Sequence, residues 1–437
     1  MIKFYDREKE IAYLQSAEDK SKKTSSRMTV VMGRRRIGKT TLLARAYSEE
    51  AVYFFVSKKS EPLLCAEYLK ELQIKLDIGF VGEVSRFEDI FIYVMQLAEK
   101  RKFTLIIDEF QEFFWVNPSI YSVMQRTWDL NKDKTKLNLV LCGSVYSLMY
   151  KIFQGYREPL FGRATGLLRI KPFSAEILKL IMADYRKSFT NHDLLAMYLI
   201  TGGVAKYVDY FIEEKALTLD KMLDSIFSEN TFILEEGKNM LVDEFGKDYG
   251  TYFSILTLIA SSKTSRPDIE SILETDIGGY LDRLENDFNL VEKIRPILAK
   301  PQTRAVKYRI SDNFLCFWFR FIYNNRSKIE IGNFDFVKNI IKRDYDTFSG
   351  IILERYFREK LVAEENLSAI GSWWEKGNQN EIDIVGINEV DKRAIIVEVK
   401  RNPAKIKLDV LKKKATNLVQ QLPGYSIEYR GLSIRDM

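Results

Sequence analysis

The sequence is poor in metal-binding side chains of the soft kind. It has one histidine, His192, and three cysteines, Cys65, Cys142 and Cys316, in 437 residues. Without a CxxC pair there is no ligand set for structural zinc. The cysteines are odd in number, far apart and set in apolar runs, which predicts buried free thiols rather than a disulfide framework. No signal peptide is visible in the charged start MIKFYDREKEIAYL, and no apolar run is long enough to span a bilayer. A cytoplasmic protein with no membrane partner is therefore expected. Strong charge of one sign is missing too: the net charge of +6 is modest, so any nucleic-acid partner must be argued from local patches. Repeats and low-complexity stretches are absent. What is present is 46% hydrophobic and 13% aromatic residues, enough for real cores, over a length that suits two to four domains.

Short β-rich runs (MTVVMG, AVYFFV, FTLIID, LNLVLCGS, LLRIKPF) alternate with helical stretches up to residue 172. That alternation implies crossover connections and a parallel sheet, so the chain reads as a multidomain α/β protein. Residues 173–240 read as helices only. Residues 241–312 give three helices followed by two strand-like runs around a turn, the order of a winged helix. The aromatic FLCFWFRFIYNN falls in a helical linker, 313–344, expected to pack between domains. The last unit, 345–437, reads helix, three strands, helix, strand.

Residues 33–41, GRRRIGKTT, fit GxxxxGK[ST] between a strand and a helix. Gly33 and Gly38 let the loop wrap, so that the backbone N–H groups of Arg34, Arg35, Arg36 and Ile37 point at phosphates above a helix N-terminus. Lys39 would reach the β- and γ-phosphates, and Thr40, followed by Thr41, is placed to ligate Mg²⁺. The strand FTLIIDEF ends at Asp108, which would hold the Mg²⁺ through water; Glu109 follows it, the residue type that polarises an attacking water. Ser144, closing LNLVLCGS, has two readings: a bond to the γ-phosphate or lytic water, or simple turn chemistry. Arg163, in PLFGRATG, resembles an arginine finger reaching a neighbour's nucleotide, and reads equally as a surface or capping arginine. As a finger it would imply a homo-oligomer.

Across residues 1 to about 325 these pieces resemble the archaeal-type ATPases of the AAA+/STAND branch of P-loop proteins. The matching segments are FYDREKEI, GRRRIGKT, LIIDEF, LVLCGS, PLFGR, TGGVAKY at 201–207 and YRISDNFLCFWFRF at 308–321. The resemblance implies a five-stranded core with the Ser144 strand between those bearing Lys39 and Asp108. It also implies a helical lid, a winged helix, and Phe4 and Arg7 near the adenine. The lid segment departs from the family's GG-x-P-x-Y, because Ala205 replaces the proline.

In the last unit, Asp383 in NEIDIVG is followed by Glu398 and Lys400 in IIVEVKR. The two strands pair readily as a hairpin, and residues two apart share a face. Two carboxylates there bind a hard divalent ion, Mg²⁺ or Mn²⁺, and Lys400 would orient the nucleophile or offset developing charge. Glu354, on the preceding helix, is a further acid for the metal. This D…ExK order resembles the PD-(D/E)xK nuclease superfamily across 345–437, which implies an α/β restriction-endonuclease-like domain. A charged face on a surface hairpin is the plain alternative. Trp373 and Trp374 are candidates to stack on a base or to pack in the core.

The presumed recognition region, DIESILETDIGGYLDRLENDF, is acidic apart from Arg283, which argues against major-groove reading. The wing carries Lys293, Arg295, Lys300, Arg304, Lys307 and Arg309. Beside the ExK pair, Lys392, Arg393, Arg401, Lys405, Lys407 and Lys412–Lys414 could guide a phosphate backbone. The expected function is an ATPase that couples its nucleotide state to metal-dependent cleavage or binding of nucleic acid, DNA before RNA. The rival is an ATP switch or scaffold with an inert C-terminal domain and a protein-docking winged helix. A small-molecule kinase is a weaker third, since no acceptor-binding motif accompanies the loop.

Overall fold

The computed structural model describes residues 3–47, 51–80, 82–229, 231–300, 302–303 and 305–437. The chain forms two compact units. The first comprises Phe4–Pro172 together with Val204–Lys206. Its five strands are β1 (Arg27–Met32), β2 (Val52–Phe55), β3 (Phe103–Asp108), β4 (Leu137–Gly143) and β5 (Gly166–Arg169). All are parallel, in the order β2-β3-β4-β1-β5. The β4 strand thus separates the strand leading to Lys39 from the one ending in Asp108, the order implied by the resemblance.

These strands read as continuous apolar runs because both faces of the sheet are covered. Alternate residues go to opposite cores. Val30, Leu105, Ile107, Leu139 and Leu141 pack with Met149, Ile152 and Phe153 on one side. Val31, Ile106, Val140 and Cys142 pack with Leu14, Leu42 and Leu43 on the other. Each such side chain contributes about 1.5–3 kcal/mol on burial.

The second unit comprises 173–203 and Tyr207–Met437. It opens with the helices Ala175–Tyr185 and Asn191–Thr201. Ser174 caps the first, and a capping box of Thr190 and Asp193 caps the second. Three helices follow at Tyr249–Ala260, Arg266–Leu273 and Gly278–Asn286, then an antiparallel hairpin of β6 (Val291–Ile294) and β7 (Lys307–Ile310). The aromatic linker is helical but uneven. Asn313–Phe317 runs through a π-turn, Trp318–Ile322, into Tyr323–Asn325, and nearly every aromatic ring is buried.

A 31-residue helix, Phe334–Glu364, starts inside the expected linker and runs without a break into the last domain. No glycine cap or proline interrupts it, so nothing in the sequence ends a helix at residue 345. The C-terminal sheet has the order β11-β10-β9-β8, with β8 (Ala369–Trp373), β9 (Ile382–Asn388), β10 (Arg393–Lys400) and β11 (Ser426–Ser433). The first three pair antiparallel, while β10 and β11 are parallel. The parallel pair requires a crossover, supplied by the helix Leu408–Lys414, whose Leu411 packs under the sheet on Ile396 and Val385. All three cysteines are buried and unpaired. Among the described residues no helix is long and apolar enough to cross a membrane.

Candidate functional site

The phosphate loop leaves β1 at Met32 and enters the helix Lys39–Ala46. A Cβ at Gly33 would stand 2.9 Å from the carbonyl oxygen of Ile170, so the loop closes on β5 only with glycine there. Gly38 has φ +95° and Arg36 +66°, and Ile37 is buried beside Leu42 and Ile170, pinning the loop from below. Lys39 is buried, its Nζ donating to the carbonyls of Gly33 (2.9 Å) and Arg34 (3.2 Å). The ammonium is folded onto its own loop, where phosphate oxygens can exchange for those carbonyls. Arg35, Thr40 and Thr41 are exposed. The backbone N–H of Lys206 donates to Arg36 O at 3.3 Å, and Ala205 faces Gly38, so the segment Val204–Lys206 of the same unit lies against the loop.

The acids meet the loop at the ends of β3 and β4. Thr40 Oγ1 donates to Asp108 Oδ2 at 3.2 Å, and Asp108 Oδ1 accepts from the backbone N–H of Glu109. Glu109 has φ +52°, a left-handed turn that swings it out of the strand direction. Its Oε2 accepts from Ser144 Oγ at 2.7 Å and from Gln111 Nε2 at 2.6 Å. The Ser144 hydroxyl therefore holds the acid rather than only shaping a turn. Oxygen donors from Thr40 and Asp108 at this spacing suit Mg²⁺, which keeps several waters.

Two participants escaped the sequence reading. Tyr53 on β2 donates its hydroxyl to Asp108 Oδ2 at 2.5 Å, and burial together with that carboxylate pushes the phenol well above its usual pKa. The signal was the alternation of VYFF beside β3, which puts Tyr53 and Phe55 on one face. Gln111, buried behind Glu109, had no local signal at all.

Phe4 packs on the cluster of Ile37, Leu42 and Ile170, with Arg45 over its ring at 5.1 Å. Arg7 is buried and donates to Lys171 O at 2.6 Å. Both therefore flank the loop where β5 ends. Arg163 lies elsewhere. It precedes β5, whose first residue pairs with Thr29 near the start of β1, so it sits at the sheet end opposite the phosphate loop. There its guanidinium forks onto Asp129 (Nε to Oδ2 3.0 Å, Nη2 to Oδ2 2.8 Å). It does not reach its own chain's loop.

In the second unit, Asp383, Glu398 and Lys400 come together on one face of the β9–β10 hairpin. Lys400 Nζ stands 3.2 Å from Asp383 Oδ2 and 3.5 Å from Glu398 Oε1, with Lys414 Nζ 3.4 Å from the latter. Asp383 also accepts from the backbone N–H of Val399 at 2.7 Å. Glu398 is only 6% exposed, and its Oε2 is buried with no hydrogen-bond partner. A buried carboxylate oxygen without a donor is costly unless something else fills the place. Burial raises the pKa of Glu354, and the charge of Asp383 raises it further, to about 8; Glu381 adds to this while Arg358 and Lys400 oppose it. Burial pulls Lys400 down, but Asp383, Glu398 and Glu354 outweigh it and hold the ammonium above its ordinary value. Among the described residues no three acidic, histidine or cysteine side chains stand within reach of one metal ion. The donor set fits an open site of two carboxylates and waters rather than a closed cage.

The raised Glu354 carboxyl makes a testable prediction about stability. In the unfolded chain it ionises near 4.5, while in the fold it keeps its proton up to about 8. Its contribution is thus complete below pH 4.5 and is lost as pH rises through 8. Without divalent ions, Glu354→Gln should match the parent's Tm at pH 5 and exceed it at pH 8.5 by about 2–5 °C. A difference that does not change with pH would show that the carboxyl titrates normally.

Several expectations about exposed chemistry are corrected. Trp373 and Trp374 are both buried, Trp373 in the sheet core, so neither offers a face to a base. The hairpin β6–β7 is not a free basic wing. The backbone N–H of Ile297 bonds Ser372 O at 2.8 Å and Pro296 bridges to Ser372, laying the loop along the edge of β8. Lys307 pairs with Glu381 at 2.8 Å over the ring of Trp374, and Arg309 pairs with Glu292. Arg304 lies outside the described residues. The basic stretch is partly consumed as well: Arg393 binds Glu365 and Glu428, Arg401 binds Asp346, and Lys414 binds Glu398. Lys405, Lys407 and Lys413 stay exposed.

Residues 4–211 match the family described as an ATPase domain predominantly from Archaea, and residues 318–414 match one described as archaeal and bacterial proteins of unknown function. An uncharacterised protein of Methanocaldococcus jannaschii is 31% identical over 408 residues, covering 91% of this chain and 87% of that protein. Among solved structures, the Walker-type ATPase of Pyrococcus abyssi aligns with a TM-score of 0.54 at 19% identity, over 72% of this chain and 96% of that one. The ORC2 protein of Aeropyrum pernix, in its ADPNP–ADP complexes, aligns at 0.50 and 14%, over 78% and 97%. At these identities the two structures speak to the fold.

Proposed function

We propose, on the premise that this chain belongs to one family with the M. jannaschii protein and has an archaeal-type P-loop ATPase domain at its N-terminus, that ATP binding and hydrolysis there control a metal-dependent nucleic-acid site in its C-terminal domain. The ATPase part is carried by the connected set Thr40–Asp108–Glu109–Ser144 at the mouth of a glycine-framed loop. Lys39 and the loop N–H groups would hold the phosphates, Asp108 and Thr40 would hold the ion, and Glu109 would take the proton from the attacking water. Bound Mg²⁺ would draw charge from the phosphate oxygens. Ser144 and Gln111 keep Glu109 in place until a nucleotide arrives.

The C-terminal part is carried by a single observation, the orphaned buried Oε2 of Glu398 beside Asp383 and Lys400. Asp383 and Glu398 would share a divalent ion with waters. Lys400, already poised between the carboxylates, would steady the nucleophile or the departing charge. DNA is the preferred substrate class, and an assembly using Arg163 in trans would complete the ATP site of a neighbour.

Incubation of the full chain with linear, circular and single-stranded DNA and with RNA, with Mg²⁺ or Mn²⁺ and with or without ATP, tests this. Cleavage that needs the divalent ion and falls at least about a hundredfold in Asp383→Ala is expected. No cleavage of any substrate, or cleavage untouched by that change, ends the nuclease reading. The rival, a switch whose three-helix-and-hairpin module docks protein, is favoured by two observations. That hairpin is already strapped to β8, and residues 268–288 before it are acidic apart from Arg283.

A further inference from the structure

The ATPase core carries a surface that neither catalytic reading uses. On the helix Tyr146–Gln154, which follows Ser144, Tyr146 and Tyr150 stack one turn apart with ring centroids 6.0 Å apart and planes 21° off parallel. The guanidinium of Arg169, at the end of β5, lies over both rings at 5.6 and 5.9 Å. The next residue of the helix, Lys151, sits over Phe114 at 5.5 Å, and Phe114 meets Trp115 edge-on at 5.0 Å. The strip thus runs from β5 across the helix to the segment after β3, three strand spacings or roughly 15 Å. Tyr150, Lys151 and Arg169 are exposed, and Trp115 is 68% exposed. Lys151 has an acid nearby, Glu158 at 3.9 Å.

Exposed aromatic rings cost solvation free energy, and a patch of them on a soluble surface marks a contact site. Here two of the six members, Arg169 and Lys151, are cations laid over ring faces, which a hydrophobic protein partner would not call for. Exposed ring faces with positive charges laid over them match a chain of flat bases joined by phosphates. In a duplex the base faces are stacked away and a ring such as Trp115 finds nothing to lie on. We propose that this strip binds single-stranded nucleic acid, with Trp115 and Tyr150 as stacking platforms and Arg169 and Lys151 on the phosphates. The inference rests on the ATPase core and is independent of the carboxylates at Asp383 and Glu398.

The test uses the full chain in EDTA without nucleotide, so that no probe is cut. Trp128, Trp318, Trp373 and Trp374 are each 5% exposed or less, which leaves Trp115 as the accessible indole. A 15-nucleotide oligo(dT) or oligo(U) should quench tryptophan emission on binding. In anisotropy titrations with the labelled oligomer, Trp115→Ala and Tyr150→Ala should each weaken binding by about fivefold or more. Arg169→Ala should weaken it and lower the slope of log K against log salt by about 0.7. All three alanine sites are exposed, so folding is preserved, and a melting curve for each variant checks it. Duplex binding as tight as single-strand binding would overturn the proposal, as would affinity unchanged in both aromatic variants. So would variants that bind oligomer normally but sediment as a smaller species, the mark of a strip that covers a second copy of the chain.

Discussion

Replacing Glu109 by glutamine is expected to lower ATP turnover about 10²- to 10⁴-fold while leaving ATP binding in place. The amide keeps the volume of the carboxylate, and its oxygen can still accept from Ser144 and Gln111, which now hold Oε2. What disappears is the basicity that takes a proton from water. Lys39→Ala acts at an earlier stage, because it removes the ammonium that loop carbonyls now hold for the phosphates. Phosphate release under steady state, set beside titration with a fluorescent ATP analogue, separates the two. Turnover within about threefold of the parent would remove Glu109 from the mechanism. The strand order accounts for the Ser144 contact: β4 lies between β3 and β1, so Ser144 just past its end stands beside Glu109.

The largest effect on stability is expected at Gly203. Its φ is +72°, and a Cβ there would overlap the carbonyl oxygen of Phe173, whose own N–H donates to Gly203 O at 2.8 Å. The obstacle is backbone on both sides, so no rotamer change relieves it. Gly203→Ala should cost about 3–5 kcal/mol and lower Tm by about 5–10 °C, or leave the protein insoluble. Thermal unfolding checks it, and a shift below about 2 °C would mean that the segment relaxes freely. Gly203 is therefore placed by sterics, which gives the double glycine of TGGVAKY a physical reason. Ala205, where the resemblance leads one to expect proline, faces Gly38 and keeps an N–H that proline would lack.

Legibility in the sequence tracked the range of the interaction. The parallel core could be read because each strand is a continuous apolar run beside a helix. Lys39 and Thr40 stand out in the sequence because phosphate binding constrains consecutive residues, and Asp108 because it closes an apolar strand; the structure brings Thr40 and Asp108 within 3.2 Å. The Asp383–Glu398–Lys400 face followed from period two along β10 together with the pairing of β9 and β10 as a hairpin. Partners fixed by tertiary structure stayed hidden: Tyr53 on Asp108, Gln111 on Glu109, and the ion pair that ties Arg163 to Asp129. Charge counting misled where cations were already spoken for, since Lys307, Arg309, Arg393 and Arg401 each meet an acid far away in sequence or across a strand. The helix Phe334–Glu364 runs across residue 345 because nothing local, neither a cap nor a proline, ends a helix there.

The strap of Pro296 and Ile297 along β8 has a practical consequence for cutting this chain into pieces. β8 is the terminal strand of its sheet, and without the strap it would present unsatisfied N–H and C=O groups to any passing strand. Ile297 also fills part of the core beneath it. A fragment begun at residue 345 would lose both, together with the first turns of its leading helix. It should therefore self-associate through that naked edge, whereas a fragment begun near residue 246, ahead of the three helices, carries its own cover.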